Sequence, residues 1–516
     1  MIPFIFGKTM WQNGSGGSIP SMIAYVFGVL GIFRLVHDML AARRTRVVTG
    51  LNFVQAASNA KSPTDTSAAA SIGAWTAAFA YAANPNLIYM QATAMTESVY
   101  LALFIWAVVY FTEFLRELKR SDRAESNSQK AVRKPEKFDS RTQSTPNALM
   151  RSAWCLFAAE LTRYDGWFLA GIMGVAAVVI GLRHWQNRPL RKKLVKFAIT
   201  IAVAPILWLA YNAVVYGNAL EFANGPYSAK AIEVRVAAPN PAFHNAKVAA
   251  VFFLKSAQLN MADGNWGRFW LAAALLALVV ALWKLRAQLS ALLLLWVPLI
   301  FYSLSIAYGS VPIHVYIWWP FATFNQRYGL QLLPVFAVSS GLLTASVYLL
   351  GASKRHGGKL VAVMLALVIG SYATVWNAGP QCFQEAQKNW TIRAPLNASV
   401  ERVVSHLPSN SRYLMDLGEH VGVMEQAGIP LRQVINNENH RAWKRPSDPE
   451  GLWERALADP PRYVDFVIAF DSDPVDRQVN YNDLSEMMEL HATGQPHVRI
   501  YKTNPPQPTP TGPSQP

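Results

Sequence analysis

Apolar runs of about twenty residues recur along most of this chain, and 52% of its residues are hydrophobic, more than one soluble core needs. A helix of that length crosses the ~30 Å hydrocarbon core of a bilayer. The pattern therefore predicts an all-α polytopic membrane domain with about ten spans. The predicted spans are 18–37, 69–83, 95–115, 148–162, 167–183, 194–215, 266–286, 289–307, 328–350 and 358–377.

Three charges, Glu160, Arg163 and Asp165, interrupt the apolar stretch 148–182. One continuous helix of about 35 residues would rise ~52 Å, which is too long for a single span. Two short helices joined by a tight turn are predicted instead. The turn is expected at the membrane surface, where its charges reach water.

The net charge of +16 is distributed unevenly between alternate loops. Lys and Arg concentrate in one set of loops, which the positive-inside rule places in the cytoplasm. Because the basic residues lie at span ends rather than along one soluble face, nucleic acid is excluded as a partner. The basic loops are 38–68, 119–147, 183–196, 284–287 and 352–359, and the segments predicted on the outer side are 84–97, 162–166, 216–264 and 308–326.

The composition changes near residue 380. Region 380–516 carries 13 Lys and Arg against 17 Asp and Glu, and it lacks a spanning run. RYLMDL, YVDFVIAF and HVRIYK have strand-like patterns, and EHVGVMEQAG and LWERALA have helix-like ones. An outward-facing soluble α/β domain is predicted over 380–504, with a disordered Pro-rich tail over 505–516.

Residues 1–379 form the predicted transmembrane domain. Within it, 119–147 is rich in Lys, Arg, Ser and Gln without apolar periodicity, which predicts a flexible cytoplasmic loop. Segment 216–264 is predicted as a long outer loop. It contains Glu221, a candidate ligand-binding residue. The alternative to a ligand-binding role for this loop is an amphipathic helix that lies in the membrane interface.

Two of the predicted outer segments carry candidate site residues with two interpretations each. Glu97 opens a span, where the helix dipole favours an acid, but its carboxylate is also suited to a sugar hydroxyl or a divalent metal. Arg163 and Asp165 can be read in two ways. In one they form a local ion pair that closes a hairpin. In the other the Arg163 guanidinium binds a lipid phosphate and Asp165 orients it.

Arg327 opens a late span within FNQRYG. A cation at a helix N-terminus is unfavourable, so a compensating group is expected. A bound phosphate is one such group, and snorkelling of the side chain to the interface is the alternative. The chain has no Walker A motif, HExxH or CxxC pair, which argues against an ATP-driven pump or a redox carrier.

Four stretches, NPNLIYMQATAMTESVYLALFIWAV, ELTRYDGWFLAGI, YGNALEFANGPYSAKAI and FNQRYGLQLLPVFAV, resemble bacterial membrane glycosyltransferases of the GT-C fold, relatives of the dolichyl-phosphate-mannose–protein mannosyltransferases. The resemblance implies transfer of a sugar from a polyprenyl-phosphate carrier to a protein, lipid or glycan acceptor. It implies the outer face of a bacterial inner membrane as the location. Glu97 then matches an acidic site position, and Arg327 and Tyr328 match an Arg-Tyr pair that binds substrate.

The resemblance also implies a catalytic acid in a first outer loop that follows an N-terminal span. Residues 1–17 contain no Asp or Glu, and ten spans place Met1 outside without a signal peptide. Both observations predict that the chain begins downstream of a missing span. Glu97 or Asp165 would then take over as the catalytic base, and a divalent metal is a candidate cofactor.

Two other functions stay open at this stage. One is a non-catalytic membrane protein whose outer α/β domain is a binding module, favoured by the missing first-loop acid. The other is a transporter, which the scarcity of charge within the spans and the absence of an apparent inverted repeat disfavour.

Overall fold

The structure is a computed structural model. It describes residues 7, 9–10, 14–49, 63–130, 145–225, 228–231, 241–284, 289–309, 311, 313–315, 323–352, 356–380, 383, 386–387, 389–418, 420–440 and 450–504. The chain divides into two compact units, one of Ser18–Gln381 and one of Cys382–Pro516 with Met1–Gly17. The sequence places the boundary at 380.

The first unit is built of α-helices. Its only described strands, His314–Val315 and Thr323–Phe324, pair as an antiparallel ladder. The helices that lie in or enter this unit are Ser15–Thr49, Pro63–Ala82, Pro85–Gln91, Thr96–Lys130, Thr145–Thr162, Tyr164–Arg183, Arg188–Tyr216, Glu221–Asn224, Ala246–Leu259, Gly267–Lys284, Leu289–Leu295, Val297–Tyr308, Gln326–Gly329, the 3-10 turn Leu330–Leu332, Leu333–Ala352 and Gly357–Ala378.

Seven stretches within the described residues are long and apolar enough to cross a membrane: Ser15–Ala41, Thr96–Arg123, Tyr164–Arg183, Arg188–Tyr216, Leu289–Tyr308, Gln326–Leu349 and Gly357–Ala378. This agrees with a multi-pass membrane protein. The three other predicted spans correspond to the helices Pro63–Ala82, Thr145–Thr162 and Gly267–Lys284. The total of ten therefore stays a prediction.

Burial of the apolar helices separates the centre of the unit from its periphery. Only 17% of the apolar window of Gly357–Ala378 is buried, and Val363 and Ile369 on it are exposed. In Gln326–Leu349 the buried share is 72%. Large apolar side chains exposed along a whole helix are unfavourable in water and are typical of a surface in contact with lipid.

The predicted hairpin at the charged stretch is present, but both of its carboxylates are buried. One helix ends at Thr162 and the next begins at Tyr164, with Arg163 in extended conformation between them. Glu160 and Asp165 are nevertheless 6% and 3% exposed. The expectation that these charges reach solvent is wrong, because they lie on the faces of the two helices that pack into the protein.

Two predicted loops contain more helix than expected. The helix that begins at Thr96 continues past Lys119, where a flexible loop is predicted, to Lys130. Residues 131–144 of that loop lie outside the described residues. The outer segment 216–264 contains the predicted helix, at Ala246–Leu259, and Phe253 and Ala257 on it are fully buried. One face of this helix therefore packs against the rest of the unit.

The second unit contains a five-stranded mixed sheet flanked by helices. The three sequence patterns predicted as strands form the strands Tyr413–Met415, Phe466–Phe470 and Val498–Thr503. In spatial order, the sheet is Val434–Ile435, Tyr413–Met415, Phe466–Phe470, Val498–Thr503 and Leu484–Leu490, the first three parallel and the last two antiparallel to their neighbours. Its helical segments are Asn389–Arg393 (a π-helix), Ala394–Val404, Val421–Ala427, Leu431–Gln433 (3-10), Asn437–His440, Leu452–Ala458, Pro460–Tyr463 and Pro474–Gln478.

The central strand Phe466–Phe470 is buried at all five positions. Phe466, Ile468 and Phe470 pack on one face with the helix Ala394–Val404, while Val467 and Ala469 pack on the other face with Trp453. A strand covered on both faces reads as a continuous apolar run, which explains why FVIAF lacks polar alternation. The Pro-rich tail 505–516 lies outside the described residues.

Asp473 caps the helix Pro474–Gln478, and its Oδ1 accepts a hydrogen bond of 2.6 Å from the backbone N–H of Asp476. Burial raises the pKa of this carboxyl from 3.8 to about 6. The folded state thus binds the proton of the Asp473 carboxyl more tightly than the unfolded state does. The contribution of this carboxyl to the free energy of unfolding is therefore lost as the pH rises from ~4 through ~6. Asn is an equally good cap without a charge. Asp473→Asn is therefore expected to stabilise the second unit by about 1–2 kcal/mol at pH 7.

This prediction is checked by unfolding the full chain at several pH values between pH 4 and pH 7. The difference between variant and wild type is expected to grow toward pH 6 and then stay constant. Carboxyls that do not contact Asp473 contribute equally to both proteins and cancel in the difference. A difference that is the same at every pH would contradict the assignment.

Candidate functional site

A buried carboxylate shared by two arginines lies at the start of the helix Thr96–Lys130. Glu97 is 1% exposed. Its Oε1 accepts hydrogen bonds from Arg327 Nε at 3.1 Å and Nη2 at 2.8 Å, and from Arg163 Nη1 at 3.4 Å. Its Oε2 is also buried and has no hydrogen-bond partner among the described residues. One oxygen atom thus joins two guanidinium groups from distant parts of the chain.

A second carboxylate continues this network. Tyr302 Oη accepts a hydrogen bond from Arg163 Nη2 and donates one to Asp165 Oδ2, both at 3.0 Å. Asp165 Oδ1 lies 3.4 Å from Arg163 Nε, as an ion pair. The local Arg163–Asp165 pair that the sequence offers as one interpretation is therefore present, but it belongs to a larger cluster with Glu97.

Aromatic rings surround the cluster. Tyr302 stacks on Phe253 at a centroid distance of 4.7 Å, and its ring centroid lies 5.7 Å from that of Tyr328. The Arg163 guanidinium lies 5.9 Å from the ring centroid of Tyr100. Rings on these sides exclude water, and exclusion of water strengthens the electrostatic interactions between the charged groups.

Arg327 is the most exposed member of the cluster, with 35% of its side chain accessible, against 16% for Arg163 and 2% for Glu97. The group that compensates Arg327 at its helix N-terminus is Glu97, so a phosphate is not needed to explain its position. The two arginines, Glu97 and Asp165 balance in formal charge. Arg327 is the group through which this cluster meets the surface.

A network of amides holds the segment before Arg327 in place. Asn260 Nδ2 donates to the backbone oxygen of Gln326 at 2.8 Å, and Asn86 Nδ2 donates to Asn260 Oδ1 at 2.8 Å. Asn84 Nδ2 donates to the Asn260 backbone oxygen at 2.7 Å. Asn84 and Asn260 are fully buried, and buried amides persist where hydrogen bonds satisfy them. The network ties three predicted outer segments together.

Gly329 allows the helix Ala246–Leu259 to approach the Arg327 segment. A Cβ atom built on Gly329 would collide with the backbone of Ser256 and lie 2.5 Å from the backbone nitrogen of Ala257. Ser256 Oγ also donates to the backbone oxygen of Asn325 at 2.8 Å. The glycine is therefore required by close backbone packing behind the cluster.

The structure brings together five of the six candidate residues: Glu97, Arg163, Asp165 and Arg327 by direct contact, and Tyr328 through the ring of Tyr302. Glu221 is not among them. Its Oε2 accepts a hydrogen bond from Asn218 Nδ2 at 3.1 Å, within its own segment. The expectation that Glu221 joins the site has no support in the described contacts.

Sequence reasoning missed Tyr302, Asn86 and Asn260. Tyr302 lies inside the apolar run LIFYSLSIAY, where a tyrosine is an ordinary core or interface residue. The asparagines carry no charge and match no motif. The one available signal was their position in or beside segments that already held a candidate.

A metal at this cluster would have to compete with the arginines. Both carboxylates, Glu97 and Asp165, are engaged by guanidinium groups. Among the described residues, three or more His, Cys, Asp or Glu ligands within reach of one ion occur at one place, in the second unit at Glu489, His491 and His497.

No protein-family model matches the chain, and a search of curated proteins finds no match.

Proposed function

We propose that this protein is a membrane glycosyltransferase that moves a sugar from a polyprenyl-phosphate carrier to a protein, lipid or glycan acceptor. The observation that carries the proposal is the buried Glu97 carboxylate with Arg163 and Arg327 on one oxygen. A transferase of this kind must hold a phosphate leaving group next to the bilayer. Arginine supplies planar, permanently charged donors for that purpose.

The sequence resemblance to GT-C glycosyltransferases also supports the proposal. Three of the four stretches that carry the resemblance contribute Glu97, Arg163, Asp165 and Arg327. Glu97, Arg163 and Asp165 lie in segments that the Lys and Arg bias predicts on the outer side, and Arg327 directly follows another such segment. A polyprenyl-phosphate donor would approach from the bilayer, and the acceptor from the outer aqueous side.

In this proposal Arg327 contacts the phosphate of the donor, because its side chain is the more exposed of the two arginines. Glu97 and Tyr302 position the guanidinium groups from behind. Asp165 holds Arg163 in the same way. The two carboxylates predicted as general bases thus act as positioning residues, since guanidinium groups already engage both of them through charge-assisted contacts.

The test is transfer by the full chain in proteoliposomes, with a panel of polyprenyl-phosphate hexoses and pentoses as donors. Release of polyprenyl phosphate is measured. Arg327→Ala is expected to reduce transfer at least about 100-fold, the typical loss when one donor to a developing charge is removed. Arg327→Lys keeps the charge opposite Glu97 but loses the planar guanidinium group. Its transfer activity is expected to lie between those of the wild type and Arg327→Ala.

Arg34→Ala is the matched control. Arg34 Nη2 also lies 2.8 Å from a glutamate, Glu113, and the exposed fraction of the Arg34 side chain is 37%, close to the 35% of Arg327. Glu113 lies about 24 Å further along the helix than Glu97. Transfer is expected to persist in Arg34→Ala. Full transfer in Arg327→Ala would remove the phosphate assignment.

A non-catalytic membrane protein with a binding module in its second unit is the second candidate. The observation that favours it is the balanced charge of the cluster, since two arginines paired with two acids also describe a purely structural network. Failure of the wild-type chain to turn over any lipid-linked sugar in the panel would favour this candidate over the transferase.

A further inference from the structure

Two histidines and two carboxylates meet at one end of the sheet in the second unit. The strands Leu484–Leu490 and Val498–Thr503 are antiparallel, with Leu490 opposite Val498. The next residues toward the turn are His491 and His497. Their rings lie 4.1 Å apart between centroids, edge to face. The hairpin therefore presents both imidazoles side by side.

Two carboxylates flank the histidines. Glu489 Oε2 lies 3.6 Å from His491 Nε2, and Glu489 Oε1 lies 3.7 Å from His497 Nδ1. Asp471 Oδ2 lies 3.8 Å from His497 Nδ1. These separations are too long for direct hydrogen bonds. They are close to the ~3.4 Å that separates two ligand atoms of a tetrahedral zinc ion bound at ~2.1 Å.

The backbone holds this arrangement from three strands. The backbone N–H of Asp471, which follows the strand Phe466–Phe470, donates to the His497 oxygen at 3.0 Å. The backbone N–H of His497 donates to Asp471 Oδ2 at 3.1 Å. The ligand atoms of Glu489, His491 and His497 all lie within 4.8 Å of one another. Little movement is needed for them to bind one ion.

Arg499 orients the glutamate. Its Nε donates to Glu489 Oε1 at 3.1 Å, which leaves the other oxygen, Oε2, directed toward His491. A hydrogen bond to one carboxylate oxygen is a common way to orient the other toward a metal. The side chains of Glu489, His491 and His497 are 34–57% exposed, so an ion can enter from solvent without opening the domain.

We propose that Glu489, His491 and His497 form a binding site for a divalent transition metal, with zinc as the best match, and that Asp471 or water completes the coordination. Two imidazoles and one carboxylate are the donors that zinc prefers, whereas calcium and magnesium prefer oxygen ligands alone. The site belongs to the second unit. It is independent of the proposed transfer reaction, because no residue of the Glu97 cluster takes part in it.

The experiment is calorimetric titration of Zn²⁺ into the full chain in detergent, purified without an oligohistidine tag and stripped of metal with a chelator. One tight site per chain is expected. His491→Ala, His497→Ala and Glu489→Gln are each expected to weaken that site at least about tenfold. His406→Ala is the matched control, since His406 is an exposed histidine of the same unit outside the cluster. Mg²⁺ at the same concentration is expected not to bind.

The proposal is overturned if the wild-type chain binds no Zn²⁺, or if binding is the same in the two histidine variants and the His406→Ala control. Far-ultraviolet circular dichroism and the unfolding temperature of the metal-free variants show whether each still folds. Because the substituted side chains are partly exposed, folding is expected to persist. X-ray absorption at the zinc edge adds a second readout, with two imidazoles in the wild-type spectrum and one in each histidine variant.

Discussion

Glu97→Gln is expected to lower the free energy of unfolding by about 3–5 kcal/mol, the usual cost of leaving a buried charge without its partner. Arg163 and Arg327 both donate to Glu97 Oε1. Glutamine keeps the size of the side chain but removes its charge, so Arg327 would lose its carboxylate partner and Arg163 would keep only Asp165. The measurement is equilibrium unfolding in mixed micelles, with the loss of helical circular dichroism as the signal.

Glu113→Gln is the control for this prediction. Glu113 also lies 2.8 Å from an arginine, Arg34, but its side chain is 30% exposed, against 2% for Glu97. A partly exposed ion pair contributes about 1 kcal/mol or less. The two variants thus compare one type of ion pair at two depths. Equal losses would show that the cluster around Glu97 is not buried as described.

Gly341→Ala is expected to destabilise the first unit by about 2 kcal/mol or more. The helices Pro63–Ala82 and Leu333–Ala352 cross where Gly341 faces Gly73. A Cβ atom on Gly341 would collide with the Gly73 carbonyl oxygen and lie 2.8 Å from the Ala77 Cβ. The neighbouring atoms belong to backbone or to a short side chain, so relief requires the helices to separate.

Gly370→Ala is the matched control, and it is expected to raise the stability rather than lower it. Gly370 lies in the span Gly357–Ala378 and is exposed, and a Cβ atom added to it would meet no other atom within 4 Å. Alanine is favoured over glycine in a helix by up to about 1 kcal/mol. The same micelle unfolding compares both variants. A stabilising Gly341→Ala would mean that these two helices do not pack closely at Gly73.

The candidate site was largely within reach of the sequence. Charges are rare in apolar spans, so Glu97, Arg163, Asp165 and Arg327 stood out at span ends that the charge bias predicted on one side. The sequence did not predict which of them pair. Glu97 and Arg327 are 230 residues apart, and their contact depends on how each helix is rotated about its axis.

Tyr302 belongs to the part of the candidate site that the sequence did not predict. Its hydroxyl bridges Arg163 and Asp165, yet nothing in its apolar surroundings distinguishes it from other aromatic residues. The proposed metal site in the second unit is a similar case. Glu489, His491 and His497 are close in the sequence, but their side chains meet only because the hairpin folds back on itself, and Asp471 follows a third strand.

The sequence by itself determined that the chain is a helical membrane protein with an α/β region after residue 380, because apolar length and periodicity depend only on local residue order. It also determined where charge interrupts the apolar runs. Tertiary structure alone decided that Glu97 and Asp165 are buried and that Arg163 and Arg327 share one oxygen of Glu97. The reason is physical: a buried charge is stabilised by partners from other helices, and those partners are chosen by packing across the whole bundle.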